Sequence, residues 1–162
     1  MDGKCGEMYA SGCIIFGERK LGSVTVSGPV SVSHGNLYKV EMNKDIIKVR
    51  KQILDSFLEN LAGISDKEYQ KRVWIEGRGP ECDDFVETVC DFFDLGEYIF
   101  DNYEGYNITE PQQKILNEFR KEFKAFSDEK DFPEKFIDTP EWTKITEMAK
   151  EILKVFNYKN RV

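Results

Sequence analysis

The sequence predicts an α+β fold: a small N-terminal antiparallel sheet packed against four or five helices, with a helix-dominated C-terminal half. Two observations lead there. Short β-branched runs punctuated by Gly and Pro fill residues 1–42, and apolar residues at helical spacing recur over residues 43–158. The 162 residues are the length of one domain, and a chain of that size buries about two thirds of its unfolded surface.

Residues 13–16 (CIIF), 21–27 (LGSVTVS) and 37–42 (LYKVEM) are expected as strands, separated by Gly17, Gly22, Gly28, Pro29, Gly35 and Asn36. Val24 and Val26 alternate with Ser23, Thr25 and Ser27, the pattern of a strand with one buried and one wet face. A further strand is expected at 72–76, where Val73 and Ile75 flank Trp74. Asn43 is suited to cap a helix from about Lys44 to Leu61, with Ile46, Val49, Ile53, Phe57 and Leu61 inward and Gly63 as its stop. Ser65 with Glu68, and Thr109 with Gln112, have the spacing of capping boxes. The second opens a helix through Leu116, Phe119, Phe123 and Phe126, and Thr139-Pro140 opens the last, which carries Trp142, Ile145, Met148 and Ile152 inward. Residues 128–138 are expected as a mobile surface loop.

Charge is distributed unevenly. Between Arg78 and Lys114 stand ten carboxylates (Glu81, Asp83, Asp84, Glu87, Asp91, Asp94, Glu97, Asp101, Glu104 and Glu110) and no Lys or Arg. The whole chain has 30 acidic and 23 basic residues, so outside this stretch 20 acids face 23 bases and the formal charge of −7 comes from the stretch alone. A field of one sign repels nucleic acid and anionic lipid and speeds encounter with basic partners. Most of the stretch is expected as a helix starting near Gly79-Pro80. Phe85, Val89, Phe92, Phe93, Ile99, Phe100 and Tyr103 then share one arc with Gly96 at its middle, and Asp83, Asp84, Glu87, Asp91, Asp94 and Asp101 take the opposite arc. Tyr98 leans away from the apolar arc, beside the edge of the carboxylate face. With Tyr106 it supplies rigid aromatic area of the kind that anchors interfaces.

Chemistry of other kinds finds little support, and no catalytic residue, cofactor or metal site is expected. Cys5, Cys13, Cys82 and Cys90 have no CxxC spacing and a single histidine, His34, for company, so reduced thiols are expected rather than zinc. His34 sits in a Ser/Gly-rich turn without an acid partner nearby in sequence. Pro80 removes an N–H that a phosphate cradle at Gly77-x-Gly79 would use. After Asp101 an EF-hand loop would want an oxygen ligand where Tyr103 stands. No apolar run approaches the ~20 residues of a membrane span, and the first residues have neither a basic leader nor a sustained apolar core, so a cytoplasmic location is expected.

Two stretches, Arg72–Phe93 (RVWIEGRGPECDDFVETVCDFF) and Asp131–Leu153 (DFPEKFIDTPEWTKITEMAKEIL), resemble segments of the immunity proteins that accompany bacterial polymorphic toxins, including those of contact-dependent growth inhibition. The resemblance implies a small acidic cytoplasmic protein that binds one cognate toxin domain, often a nuclease, and blocks its active site. These families share no universal motif, so the interface is read from the residues themselves. The expected toxin-binding set is Asp84, Glu87, Asp91, Asp94, Glu97, Tyr98, Asp101, Glu104 and Tyr106, facing a basic toxin and touching neither nucleic acid nor membrane. A carboxylate-based metal-dependent hydrolase, or an acidic adaptor for another basic protein, are the alternatives.

Overall fold

The structure, a computed structural model, describes residues 35–159, with side chains from residue 43 onward. Six α-helices follow one another: α1 (Gly35–Ser65), α2 (Lys67–Gln70), α3 (Phe85–Phe100), α4 (Glu110–Ser127), α5 (Pro133–Phe136) and α6 (Pro140–Val155). A π-type winding, Lys71–Ile75, continues α2, and a 3₁₀ turn, Glu104–Tyr106, follows α3. Helix accounts for 76% of the described part and no strand occurs there, which overturns the expected α+β class. The expected strands at 13–16 and 21–27 lie outside the described residues.

Two other strand expectations fail for identifiable reasons. Residues 37–42 belong to α1 (Gly35–Ser65). Three alternating residues at 73–75 are too few to separate a period of 2 from one of 3.6. The chain there keeps winding, with Glu76 N–H donating to the Lys71 carbonyl at 3.0 Å across five residues, and both Val73 and Trp74 are buried.

The helix boundaries follow local chemistry. α1 runs two residues past Gly63, and Ser65 Oγ donates back to the Ala62 carbonyl at 2.8 Å instead of capping α2. That cap is Asp66, whose Oδ1 accepts from Glu68 N and Tyr69 N at 3.0 and 3.1 Å. α4 opens as expected: Gln112 Oε1 accepts from Thr109 N–H at 2.9 Å, and Pro111 lies in the first turn. Thr139 Oγ1 caps α6 by accepting from Trp142 N at 3.3 Å. The stretch expected as a mobile loop holds α5 and buries Phe136 and Ile137, at 2% and 4% exposure.

α1 packs against α3 and α6, and α4 packs against α6. The core between them is aromatic. Phe92 lies 5.1 Å from Phe57, 5.3 Å from Phe119 and 5.2 Å from Phe123, ring centre to ring centre, and Trp142 lies within 5.0–5.7 Å of Phe85, Phe126 and Phe136. Half of these pairs, Phe92 with Phe119 and Phe123 and Trp142 with Phe85, meet at steep angles, the arrangement in which a ring edge meets a ring face favourably. One polar side chain is embedded beside them with its hydrogen bonds satisfied. Gln70 donates from Nε2 to the Gly63 and Ile64 carbonyls at 2.9 and 2.7 Å, and its Oε1 accepts from Trp142 Nε1 at 2.8 Å, joining the end of α1, α2 and α6.

Candidate interface on the acidic helix

The loop 76–84 delivers the chain from the π winding to α3. Arg72 fastens it, with Nη1 and Nη2 donating to the two Glu81 carboxylate oxygens at 2.9 and 3.1 Å and Nη1 also reaching the Arg78 carbonyl at 3.1 Å. Gly79, at φ 127°, has its Cα side against that guanidinium and the Glu81 carboxylate, so a Cβ would collide with both. α3 therefore starts five residues after Pro80, at Phe85, with Asp84 as its cap: the Asp84 carboxylate accepts from Glu87 N at 2.8 Å.

Asp83 departs from the expected outward row. Its carboxylate accepts from Tyr69 Oη at 2.8 Å, Trp74 Nε1 at 3.2 Å and Thr88 Oγ1 at 3.1 Å, so it is a half-buried junction between α2, the π winding and α3. Burial first, and the Asp83 hydrogen bond second, push the Tyr69 hydroxyl well above its ordinary value. Neither Asp83 nor Gln70 carries a sequence signal distinguishing it from a surface residue. The one available hint is the proximity of Trp74 and Trp142, whose indole N–H groups need acceptors when buried.

From Asp84 onward the expected division of α3 holds. Phe85, Phe92, Gly96 and Ile99 are buried, with Val89, Phe93 and Phe100 half-buried at the edges of the same face. Of the nine residues expected to bind a partner, Asp84, Glu87, Asp91, Asp94, Glu97, Tyr98, Asp101 and Glu104 are exposed, and Tyr106 is half-buried. Tyr98, 63% exposed, follows Asp94 by four residues and precedes Asp101 by three. It thus stands within the carboxylate row rather than at its edge, since residues three and four apart share a helix face. Tyr106 sits beyond the helix in the 3₁₀ turn. Arg50 of α1 lies over its ring, 6.0 Å from the centre, and donates to the Gly105 carbonyl at 3.2 Å. Tyr103, on the apolar arc, donates its hydroxyl to Asn117 Oδ1 at 2.9 Å.

The row is electrostatically uncompensated. Among the described residues none of Glu87, Asp91, Asp94, Glu97 and Asp101 forms an ion pair, and α3 has no basic residue in its last turn. Glu87 and Asp91 are four residues apart, Asp91 and Asp94 three, Glu97 and Asp101 four, so like charges face each other along the whole helix. Partial desolvation, followed by the neighbouring Asp83, Asp84 and Asp91, raises the Glu87 carboxyl above its ordinary value; desolvation, then Asp83 and Asp94, does the same to Asp91. Glu97 and Asp101 add charge at the negative end of the helix dipole, where a cation would be favoured. Beside the row, between α1 and α3, runs a groove of about 490 Å³ whose lining includes Glu59, Asp66, Glu81, Asp83 and Asp91 and no Lys or Arg.

Among the described residues no three of His, Cys, Asp and Glu are grouped so as to hold a metal ion, and no helix is long and apolar enough to cross a membrane. His34, Cys5 and Cys13 lie outside the described residues; Cys82 is exposed and Cys90 half-buried. No family model matches the chain, and no curated protein or solved structure matches it.

Proposed function

We propose that the protein is a stoichiometric inhibitor of a basic toxin domain, of the immunity type, that works in the cytoplasm and docks through the outward face of α3. The observation that carries this reading is the unpaired row Glu87–Asp91–Asp94–Asp101 with the exposed Tyr98 inside it. A face tuned only for stability would interleave Lys or Arg at i,i+4, where opposite charges stabilise a helix. This one retains repulsion along its length and against its own dipole. A nuclease is the toxin class that fits best, because its substrate cleft has to be positive to hold phosphate, and a row of carboxylates can occupy such a cleft. The acidic groove beside the row extends the field over a concave surface, which concentrates potential more than a convex one does. Tyr98 supplies an anchor with apolar area and a hydroxyl amid charges that act chiefly on encounter rate.

The test is rapid mixing with a candidate basic nuclease toxin domain that co-purifies with this chain, at several salt concentrations, comparing the natural chain with Glu87→Gln/Asp91→Asn/Asp94→Asn/Asp101→Asn. The expected result is slower association for the variant and a flatter salt dependence. Equal rates and equal salt slopes would remove the α3 row from recognition.

A further inference from the structure

Between the π winding and α3 the chain runs through residues 76–84, which belong to no helix. Residues 76–82 are all exposed, the longest such run outside the helices among the described residues. Of the described lysines and arginines only Arg78, Lys130 and Lys159 stand outside the helices, and Lys159 lies past α6. Arg78 extends a side chain that is 72% exposed, from between Gly77 and Gly79 at φ 60° and 127°. Glycines can leave those conformations for the extended one that a protease cleft demands. Lys130 is flanked by Glu129 and Asp131, whose charges oppose the carboxylate at the base of a pocket selective for basic side chains.

We infer that the bond between Arg78 and Gly79 is a latched processing site for an arginine-directed serine endopeptidase. Water adds across this amide, leaving a carboxylate on Arg78 and an α-ammonium on Gly79. Arg72 is the latch. Its Nη1 donates to the Arg78 carbonyl at 3.1 Å, its own carbonyl accepts from Arg78 N at 2.8 Å, and both Glu81 carboxylate oxygens hold the guanidinium in place. The Arg78 carbonyl has to leave Arg72 before the oxyanion donors of a protease can take it up. An exposed ion pair is weak, so the latch slows the cut without forbidding it, and only the loop has to open. The cut divides the chain into two pieces that share one core. Phe57 against Phe92 at 5.1 Å, Trp74 against Phe85 at 5.8 Å, and Gln70 Oε1 accepting from Trp142 Nε1 at 2.8 Å all join residues on opposite sides of it. The cleaved protein therefore stays assembled.

The experiment exposes the full chain to dilute trypsin under native conditions and follows, by mass spectrometry, the order in which bonds from residue 43 to Lys154 are cut. Cleavage after Arg78 is expected first, about 10-fold or more ahead of cleavage after Lys130 or after any lysine or arginine within a helix. The product is expected to elute from size exclusion as one particle containing both pieces. Glu81→Ala, which frees Arg72, is expected to speed the cut several-fold in the folded chain. Synthetic peptides of residues 74–84, with Glu81 or with Ala in its place, should be cut at equal rates, which separates the latch from any preference of the protease for the local sequence. A first cut elsewhere among these bonds, pieces that separate, or a folded Glu81→Ala chain cut no faster than the natural one would each overturn the proposal. So would a peptide pair that differs as much as the folded pair, which would assign the effect to the protease. None of these results bears on the α3 face, which is read by toxin association.

Discussion

The two faces of α3 share one backbone and one set of neighbours in sequence, yet each responds to a different demand. Inward, Phe85, Phe92 and Ile99 are at most 2% exposed, and Phe85 and Phe92 lie against rings from α1, α4 and α6. Outward, carboxylates stand three and four residues apart with no cation between them. The inward face is what burial of apolar surface selects. The outward face repeats like charges at spacings that helix electrostatics disfavour, and it is on that repulsion that the proposed docking role rests.

The largest expected effect tests the inward face. Phe92→Ala should cost about 3–5 kcal/mol in denaturant unfolding, because five other phenylalanine rings close around the emptied volume. A loss below about 1 kcal/mol would mean that the ring is not the centre of the core. Gln70→Ala should cost about 2–3 kcal/mol, since it strands the buried Trp142 indole N–H and two α1 carbonyls. Gln70→Glu, which keeps the acceptor for Trp142 but loses the donor and buries a charge, separates the two halves of that bond set if it unfolds more easily than the natural chain at pH 7 but less so in acid.

Across the helix the same kind of truncation should do the reverse. Tyr98→Ala should shift unfolding by less than about 1 kcal/mol while, on the proposed function, weakening binding of the candidate toxin domain by about 2 kcal/mol. Unfolding as severe as that of Phe92→Ala would join Tyr98 to the core and erase the contrast between the faces.

The smallest effect concerns pH. Glu87 and Asp91 have raised values in the folded chain, so between neutrality and the ordinary carboxylate range the folded form binds more protons than the unfolded one. Stability contributed through this pair therefore falls as pH rises through that window, the opposite of a salt-bridged acid. Glu87→Gln/Asp91→Asn should accordingly stabilise the protein by up to a few tenths of a kcal/mol at pH 7, with the gain disappearing as pH falls below the ordinary carboxylate values. Thermal melts of the pair across that range provide the check, and a gain that grows in acid would contradict the assignment.

Legibility in the sequence followed the range of the interaction responsible. Thr109 with Gln112 and Thr139 with Pro140 act within one turn, and both mark the helix starts they announce. The apolar and acidic arcs of α3 follow from spacing alone. The sheet expectation rested on β-branched runs, and such propensity is easily overridden. Val40 lies within α1 and Val73 within the π winding. Proline misplaced the start of α3 because the loop is set by Arg72 holding Glu81, a contact across nine residues. Ile46 and Val49 have core spacing, but whether an inward position meets a neighbour depends on where the other helices end. Asp83 looked like one more acid in a row of acids; its role is defined by two residues, Tyr69 and Trp74, that only the fold brings to it.

Both tryptophans of the chain, Trp74 and Trp142, lie inside the aromatic cluster with ring centres 6.0 Å apart, and both spend their indole N–H on protein acceptors. Their emission should therefore be blue-shifted in the native chain and move sharply to the red on unfolding, a built-in optical gauge of the folded population. Tyr98 stands ten residues along α3 from Thr88, roughly 15 Å of helix, so a ligand confined to Tyr98 should leave that emission almost unchanged, whereas one that enters the groove and meets Asp83, the acceptor of the Trp74 indole, should move the Trp74 part of it. Intrinsic fluorescence will report faithfully on whether this protein is folded and will tell a ligand that fills the groove from one that stays on the outward row.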